Sequence, residues 1–212
     1  MKLVLASHNA KKLAELQALL AGLPLALMAQ GALGITEADE PHATFIENAL
    51  VKARHAAQAS GSAALADDSG LCVGRLGGAP GVISAHFAGE LPPVAGEDRE
   101  ARRQRQDAAN NAALLARLHG IADRRAHFIS TLVAVRHAQD PEPLVAVGRW
   151  PGEILATPRG SQGFGYDPLL FIPGLGATVA ELGAGLKNQH SHRARAAALL
   201  RQLLADVWHL TA

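Results

Sequence analysis

Only one cysteine, Cys72, occurs among the 212 residues, so no internal disulfide can form and a multi-cysteine zinc site is excluded. A lone thiol fits a reducing compartment, and the expectation is a cytoplasmic protein. Cys72 sits in the apolar run Leu71-Cys72-Val73 and reads as a small buried hydrophobe rather than a nucleophile. Aromatics are scarce as well, with two Trp, one Tyr and five Phe, so the interior must be filled by small and aliphatic side chains. Charge of one sign is missing too. A formal net charge of +1 leaves no broad field for capturing duplex nucleic acid or an anionic membrane, and neither partner is expected. No apolar run approaches the roughly 18 residues that a bilayer span needs. After Lys2 the apolar run Leu3-Val4-Leu5-Ala6 is too short and turns polar too soon for a signal peptide, which makes the chain read as soluble. The histidines lack His-Glu-x-x-His spacing, which weighs against zinc. The absence of a Gly-x-Ser-x-Gly elbow weighs against a serine hydrolase.

What is present suffices for one core, or for a core divided between two closely joined lobes: 49% of the residues are hydrophobic. Residues 2–6 read as a buried strand, followed by the polar turn Ser7-His8-Asn9. Leu13, Leu16, Leu19, Leu20 and Leu23 then keep helical spacing, with Ser7 or Asn9 as N-cap and Gly22 and Pro24 as the stop. A second strand is expected over 25–29, and an Ala-rich helix over 44–59 with Phe45, Ala49, Ala53 and Ala56 on one face. A short strand at 63–66 should end in Asp67-Asp68-Ser69-Gly70. Gly77-Gly78-Ala79-Pro80-Gly81 must be a loop. Residues 97–118 predict a charged helix. Residues 127–136 and 144–150 predict a hairpin turning at Asp140-Pro141-Glu142-Pro143. A glycine-rich loop at 160–166, a strand at 169–172 and a helix over 188–208 complete a mixed α/β chain.

Five places carry candidate chemistry. Ser7-His8-Asn9-Ala10-Lys11-Lys12 opens a helix, whose unpaired N–H groups suit a phosphate, with Lys12 adding a charge. Taken alone, an ordinary capped helix with a solvated lysine pair is the favoured reading. Glu40 precedes Thr44 and Glu47, which have capping-box spacing, and Lys52 lies five residues beyond Glu47. That spacing suits no helical ion pair, and periodicity alone does not make Lys52 catalytic. Asp67 and Asp68 at a strand end suit a hard cation such as magnesium. Adjacent strand residues face opposite ways, so one acid can meet a metal or water and the other a basic group. An Asp-Ser-Gly turn explains the same residues equally well. In Gly163-Phe164-Gly165-Tyr166-Asp167, glycines permit close backbone approach to a flat ligand, Phe164 offers a stacking face, and Asp167 an acceptor; a tight loop with a core ring is the plainer account. Lys187 and Ser191-His192-Arg193 put cations and a hydroxyl near a helix start, as capping with surface charge also would.

Together, in this order and spacing, Ser7-x-Asn9-x-x-Lys12, Glu40, Thr44-Phe45-x-Glu47-Asn48-Ala49-x-x-Lys52, Asp67-Asp68-Ser69-Gly70, Gly78-Ala79-Pro80-Gly81, Trp150-Pro151-Gly152, Gly163-Phe164-Gly165-Tyr166-Asp167-Pro168 and Ser191-His192-Arg193 resemble the inosine triphosphate pyrophosphatase family. More narrowly, they are similar to its bacterial members that remove dITP, ITP and XTP. The resemblance implies an α/β fold with an elongated mixed β-sheet flanked by helices, two lobes with a central nucleotide cleft, one domain over residues 1–212, and a homodimer. It implies that Ser7, Asn9 and Lys12, within the stretch 7–12, hold a triphosphate with Lys52 assisting. Glu40 and Asp68 would ligate Mg2+, Asp68 would be the general base, and Asp67 and Glu47 would support that acidic centre. Ser69 would contact substrate beside the metal. Phe164, in its loop with Gly165 and Tyr166, would stack on the purine, while Asp167, Lys187, His192 and Arg193 would read or close over the base. A 6-keto purine offers an acceptor where adenine offers an amino donor, so donors aimed at that edge reject ATP. The alternatives are a Maf-type pyrophosphatase of other base preference and a non-catalytic nucleotide-binding regulator.

Two departures stand out. The family commonly has Thr-Gly-Asn where this chain has Ser7-His8-Asn9, and His8 is expected to point outward. Residues 91–106 are longer and richer in Arg than the family pattern and read as a surface insertion.

Overall fold

The computed structural model describes residues 1–211. Its helices are α1 (Ala10–Leu19), α2 (Phe45–Ser60), α3 (Arg99–Arg117), α4 (Ala184–His190) and α5 (His192–Asp206). Its strands are β1 (Lys2–Leu5), β2 (Ala26–Ala29), β3 (Ala63–Val73), β4 (Arg125–Val135), β5 (Leu144–Ile154), β6 (Leu170–Ile172) and β7 (Ala177–Thr178). They form one seven-stranded mixed sheet in the order β2-β1-β3-β4-β5-β6-β7. β1 pairs parallel with β2 and β3, and β6 pairs antiparallel with β5 and β7. The chain divides into two compact units, and β3, β4 and β5 each run from one into the other.

The first unit comprises Met1–Ser69, Ile129–Arg149 and the C-terminal stretch from Asn188. It is layered because its strands alternate. Leu3, Leu5, Leu65, Leu132 and Ala134 turn to one face and pack on Leu16 of α1, on Leu20 just after it, and on Ala196, Ala197, Leu200 and Leu204 of α5. Val4, Ala6, Ala64, Ala66, Val133 and Val135 turn to the other and meet Ala49, Ala53, Ala56 and Ala57 of α2. Such small side chains let α2 lie close to the sheet. β5 goes further: a Cβ at Gly148 would stand 2.1 Å from the His192 carbonyl oxygen, so only glycine admits α5 there. The β4–β5 connection turns at Asp140 as expected, its buried carboxylate accepting the N–H groups of Arg136 and Glu142.

The second unit, Gly70–Phe128 and Trp150–Lys187, surrounds Leu71, Phe87, Leu114, Phe128, Trp150, Tyr166 and Leu170. Two sequence expectations change. β3 does not stop at residue 66 but continues through Asp67 and Asp68 to Val73, because β4 still lies beside it after β1 has ended and no turn is needed. The C-terminal helix is two helices, since Ser191 leaves helical geometry to cap α5 by accepting the Ala194 N–H.

Candidate functional site

β1 ends just where β3 continues. The ladder closes with the Ala6 N–H on the Leu65 carbonyl oxygen, after which the chain turns away into α1. The Asp67 carbonyl oxygen thereby loses a strand partner, and two lysines take it: Lys12 Nζ at 3.4 Å and Lys52 Nζ at 3.3 Å. One comes from α1 and the other from α2, so the ammonium groups converge from both helical layers on the middle of β3, where it outruns β1. Asn9, the N-cap of α1, accepts the Lys11 and Lys12 N–H groups, while Ser7 Oγ accepts the Asn9 N–H. Lys11 and Ala10 are exposed at this helix start.

Alternation along β3 then separates the two acids. Asp67 turns to the α1/α5 face and is fully enclosed: it accepts from Arg193 Nε at 3.0 Å and Ser130 Oγ at 2.7 Å, with Lys12 Nζ 3.2 Å away. Burial works to raise its pKa, but Arg193 foremost, with Lys12 and Ser130, holds it far below the ordinary carboxylate range. Asp68 turns to the α2 face, where its Oδ1 accepts from Lys52 Nζ at 2.9 Å and Glu40 Oε2 takes the same ammonium at 3.0 Å. Its other oxygen, Oδ2, is buried without a hydrogen-bond partner. Burial first, and the Glu40 charge in addition, push the Asp68 carboxyl up to about 6 against the pull of Lys52. Burial disfavours the Lys52 cation, yet Asp68 and Glu40 outweigh it and raise its pKa. For Lys12 the balance falls the other way: desolvation, with Arg193 and Lys52 as like charges, lowers its pKa despite Asp67.

A cavity of about 150 Å3 opens at this place, lined by Ser7, Asn9, Lys12, Gln30, Glu40 and Lys52 among others. Ser7–Asn9 and Gln30 follow the parallel strands β1 and β2, and Asp67–Asp68 lie just past the point where β3 stops pairing with β1. The carboxyl ends of parallel strands are where open α/β sheets bind ligands. Two carboxylates, one with a bare buried oxygen, suit a magnesium ion that completes its shell with substrate oxygens. Among the described residues no group of three or more His, Cys, Asp or Glu forms a closed metal cage.

A second group lies within the second unit. Asp167 accepts the Phe164 N–H at 3.1 Å and pairs with Lys187 at 2.9 Å. The Lys187 ammonium stands 5.7 Å from the Phe164 ring centre, and the Arg103 guanidinium lies over that ring at 4.7 Å. Gly163 is obligatory here, with φ +84° and an added Cβ only 2.0 Å from Asp167 Oδ2. Gly165 donates its N–H to Asp107, and Tyr166 is buried with its hydroxyl donating to the Ser84 carbonyl oxygen.

Several site expectations are redistributed. Arg193, expected at the base, is 3% exposed and bonded to Asp67, Glu15 and Ser69. Burying a guanidinium demands paired acids, and the first turn of α5 brings it to them. His192 opens the same helix in the first unit, and its carbonyl backs onto Gly148. Glu47 is exposed and bonded to Thr44, whose hydroxyl donates to it at 2.6 Å, so its contacts are those of a helix cap. His8 does not point outward. Its ring folds onto Gly31, where a Cβ would sit 2.9 Å from it, and its Nε2–H donates to the Ile35 carbonyl oxygen at 2.9 Å. The arginine-rich segment is no bare insertion either, for Arg103 covers Phe164 and Arg105 is paired with Glu97. Reading the sequence missed Ser130, Glu15, Arg103 and Gln30. Only Gln30 left a signal, directly after the expected second strand.

The Ham1 family model matches residues 3–203. The chain belongs to the Ham1 family. Among its relatives are proteins named dITP/XTP pyrophosphatase from Methylibium petroleiphilum, 64% identical with 98% of this chain and 99% of the relative covered, and from Leptothrix cholodnii, 64% identical with 99% and 100% covered. A solved HAM1 protein from Coxiella burnetii superposes with a TM-score of 0.87 at 39% identity, over 98% of this chain and 100% of that one. Ham1 membership agrees with the resemblance drawn from the motifs. Among the described residues, no helix of this Ham1 chain is long and apolar enough to cross a membrane.

Proposed function

We propose that this Ham1 chain hydrolyses non-canonical purine nucleoside triphosphates, dITP, ITP and XTP, to the monophosphate and pyrophosphate. It would thereby clear deaminated purines from the nucleotide pool. The observation that carries the reading is Asp68. One of its oxygens is anchored on Lys52 and the other is buried and bare, beside a cavity lined by two ammonium groups.

Each residue has a task its geometry supports. Lys12 and Lys52, already fixed on the Asp67 carbonyl oxygen, offset the charge of the triphosphate, with Ser7, Asn9 and the first turn of α1 as further donors. A carboxyl near 6 is ionised at neutral pH yet basic enough to take a proton, which suits Asp68 as the base that orients and deprotonates water for attack at the α-phosphorus. The pyrophosphate group then leaves. Asp67 is held ionised by Arg193 and Lys12 and keeps Lys12 in place. Glu40 and Asp68 are the residues that would hold Mg2+, which when bound supplies charge neutralisation on the phosphate oxygens. The Phe164, Asp167 and Lys187 group is assigned to the purine, with Lys187 as a donor suited to a 6-keto oxygen. Homodimeric assembly and a cytoplasmic setting belong to the same proposal.

Product analysis tests it. The purified protein with magnesium should release pyrophosphate from dITP and XTP and spare dTTP and UTP; orthophosphate as the product, or activity confined to pyrimidines, refutes it. Asp68→Asn should lower turnover by about 100- to 10,000-fold while retaining substrate binding. Unchanged turnover removes Asp68 from the role of base.

A further inference from the structure

Gln30 follows the last residue of β2, at the carboxyl end of that strand. It is 2% exposed and lines the cavity shared with Lys12, Lys52 and Asn9. Its main-chain carbonyl oxygen accepts the Ile35 N–H, but among the described residues nothing bonds its side-chain amide. An apolar side chain of about equal size there would remove the amide's donors while leaving the packing around it filled. Its position in the cavity says what completes it. The lining supplies cations and hydroxyl or amide donors together with Glu37 and Glu40. A neutral amide adds two N–H donors without adding charge and, unlike those acids, does not repel a phosphate.

We propose that Gln30 is a substrate-positioning residue, its Nε2–H donating to a non-bridging oxygen of the triphosphate held by Lys12 and Lys52. This rests on the pyrophosphatase reading for the identity of the nucleotide but not for the contact itself. Gln30→Met keeps the side chain's length and removes its polarity. Losing one donor to a charged oxygen should weaken magnesium-tripolyphosphate binding, measured by calorimetry, by about 10- to 100-fold. The same factor should appear in kcat/KM for dITP, while the melting temperature stays equal. That opposition separates a ligand contact from a structural role, in which melting falls and kinetics hold. Tripolyphosphate affinity within twofold of the parent protein, or no tripolyphosphate binding by the parent, overturns the proposal. If Gln30→Met does not fold, Gln30→Glu keeps the shape and replaces both donors by acceptors, and the same two measurements decide. A parent protein that binds tripolyphosphate but releases no pyrophosphate from dITP refutes the pyrophosphatase reading and leaves the Gln30 comparison decisive on its own.

Discussion

Arg193→Met probes the buried network around Asp67. The guanidinium is anchored on three sides: Nε on Asp67 at 3.0 Å, Nη1 on Glu15, and Nη2 on Ser69 at 3.2 Å. Asp67 stays charged inside the sheet through Arg193 foremost, with Lys12 and Ser130 beside it, whereas burial alone would drive its carboxyl towards the neutral form. Removing one partner of an enclosed ion pair costs about 3–5 kcal/mol, because the other charge is left unpaired. Total stability in domains is about 5–15 kcal/mol, so the loss is a large share of it. For a chain of this size, about 2–4 °C of melting temperature goes with each kcal/mol, and the variant should melt about 6–20 °C lower. Urea unfolding followed by far-ultraviolet circular dichroism gives the free energy directly, provided the slope is unchanged. Asp67→Asn should cost a comparable amount. The double variant should fall short of the sum by about 0.5–3 kcal/mol, since each single change strands the other's charge. A loss for Arg193→Met below about 1 kcal/mol, the level of an exposed bridge, refutes the claim that this pair is a buried structural tie.

Two further outcomes follow from the packing and the turn. Gly148→Ala puts a Cβ 2.1 Å from the His192 carbonyl oxygen and 2.4 Å from the Ala196 nitrogen, backbone atoms of α5 that cannot step aside. It should destabilise by at least about 1–3 kcal/mol, whereas Gly174→Ala, which meets nothing within 4 Å, should stay near the parent; equal melting of both variants contradicts the close approach. Asp140 has a depressed pKa: burial opposes its charge, but the N–H groups of Arg136 and Glu142 and the Arg136 guanidinium outweigh it. Its folded pKa thus lies below the unfolded value of about 3.9, so its contribution is present above that value and is lost as the pH falls through the folded one. Urea titrations in acid should show a shallower loss of stability for Asp140→Asn than for the parent, and identical slopes would discount the residue.

Much of the first unit could be read from the chain itself. The leucine spacing of α1, the alanine face of α2, and the Asp140 turn follow from local periodicity and turn chemistry, which act over a few residues. The same holds for Asn9 as a cap, one of the two residues the sequence offered. Even Lys52 carried a sign of its burial: it stands three residues after Ala49 and four before Ala56, on the stripe that faces the sheet. The opposed directions of Asp67 and Asp68 needed only the two-residue period of a strand. What the chain alone could not decide is which partner each charged group would find. β3 runs on through its two acids because β4 remains beside it where β1 has ended. Lys12 and Lys52 share one carbonyl oxygen because β1 stops and leaves it open. Arg193 becomes an enclosed tie to Asp67, 126 positions away in the chain, because α5 is laid against Gly148 of β5. His8 folds inward because Gly31 leaves room for its ring. Each of these outcomes is fixed by distances between residues remote in the chain, and burial then decides which charges must be paired; no local pattern encodes either.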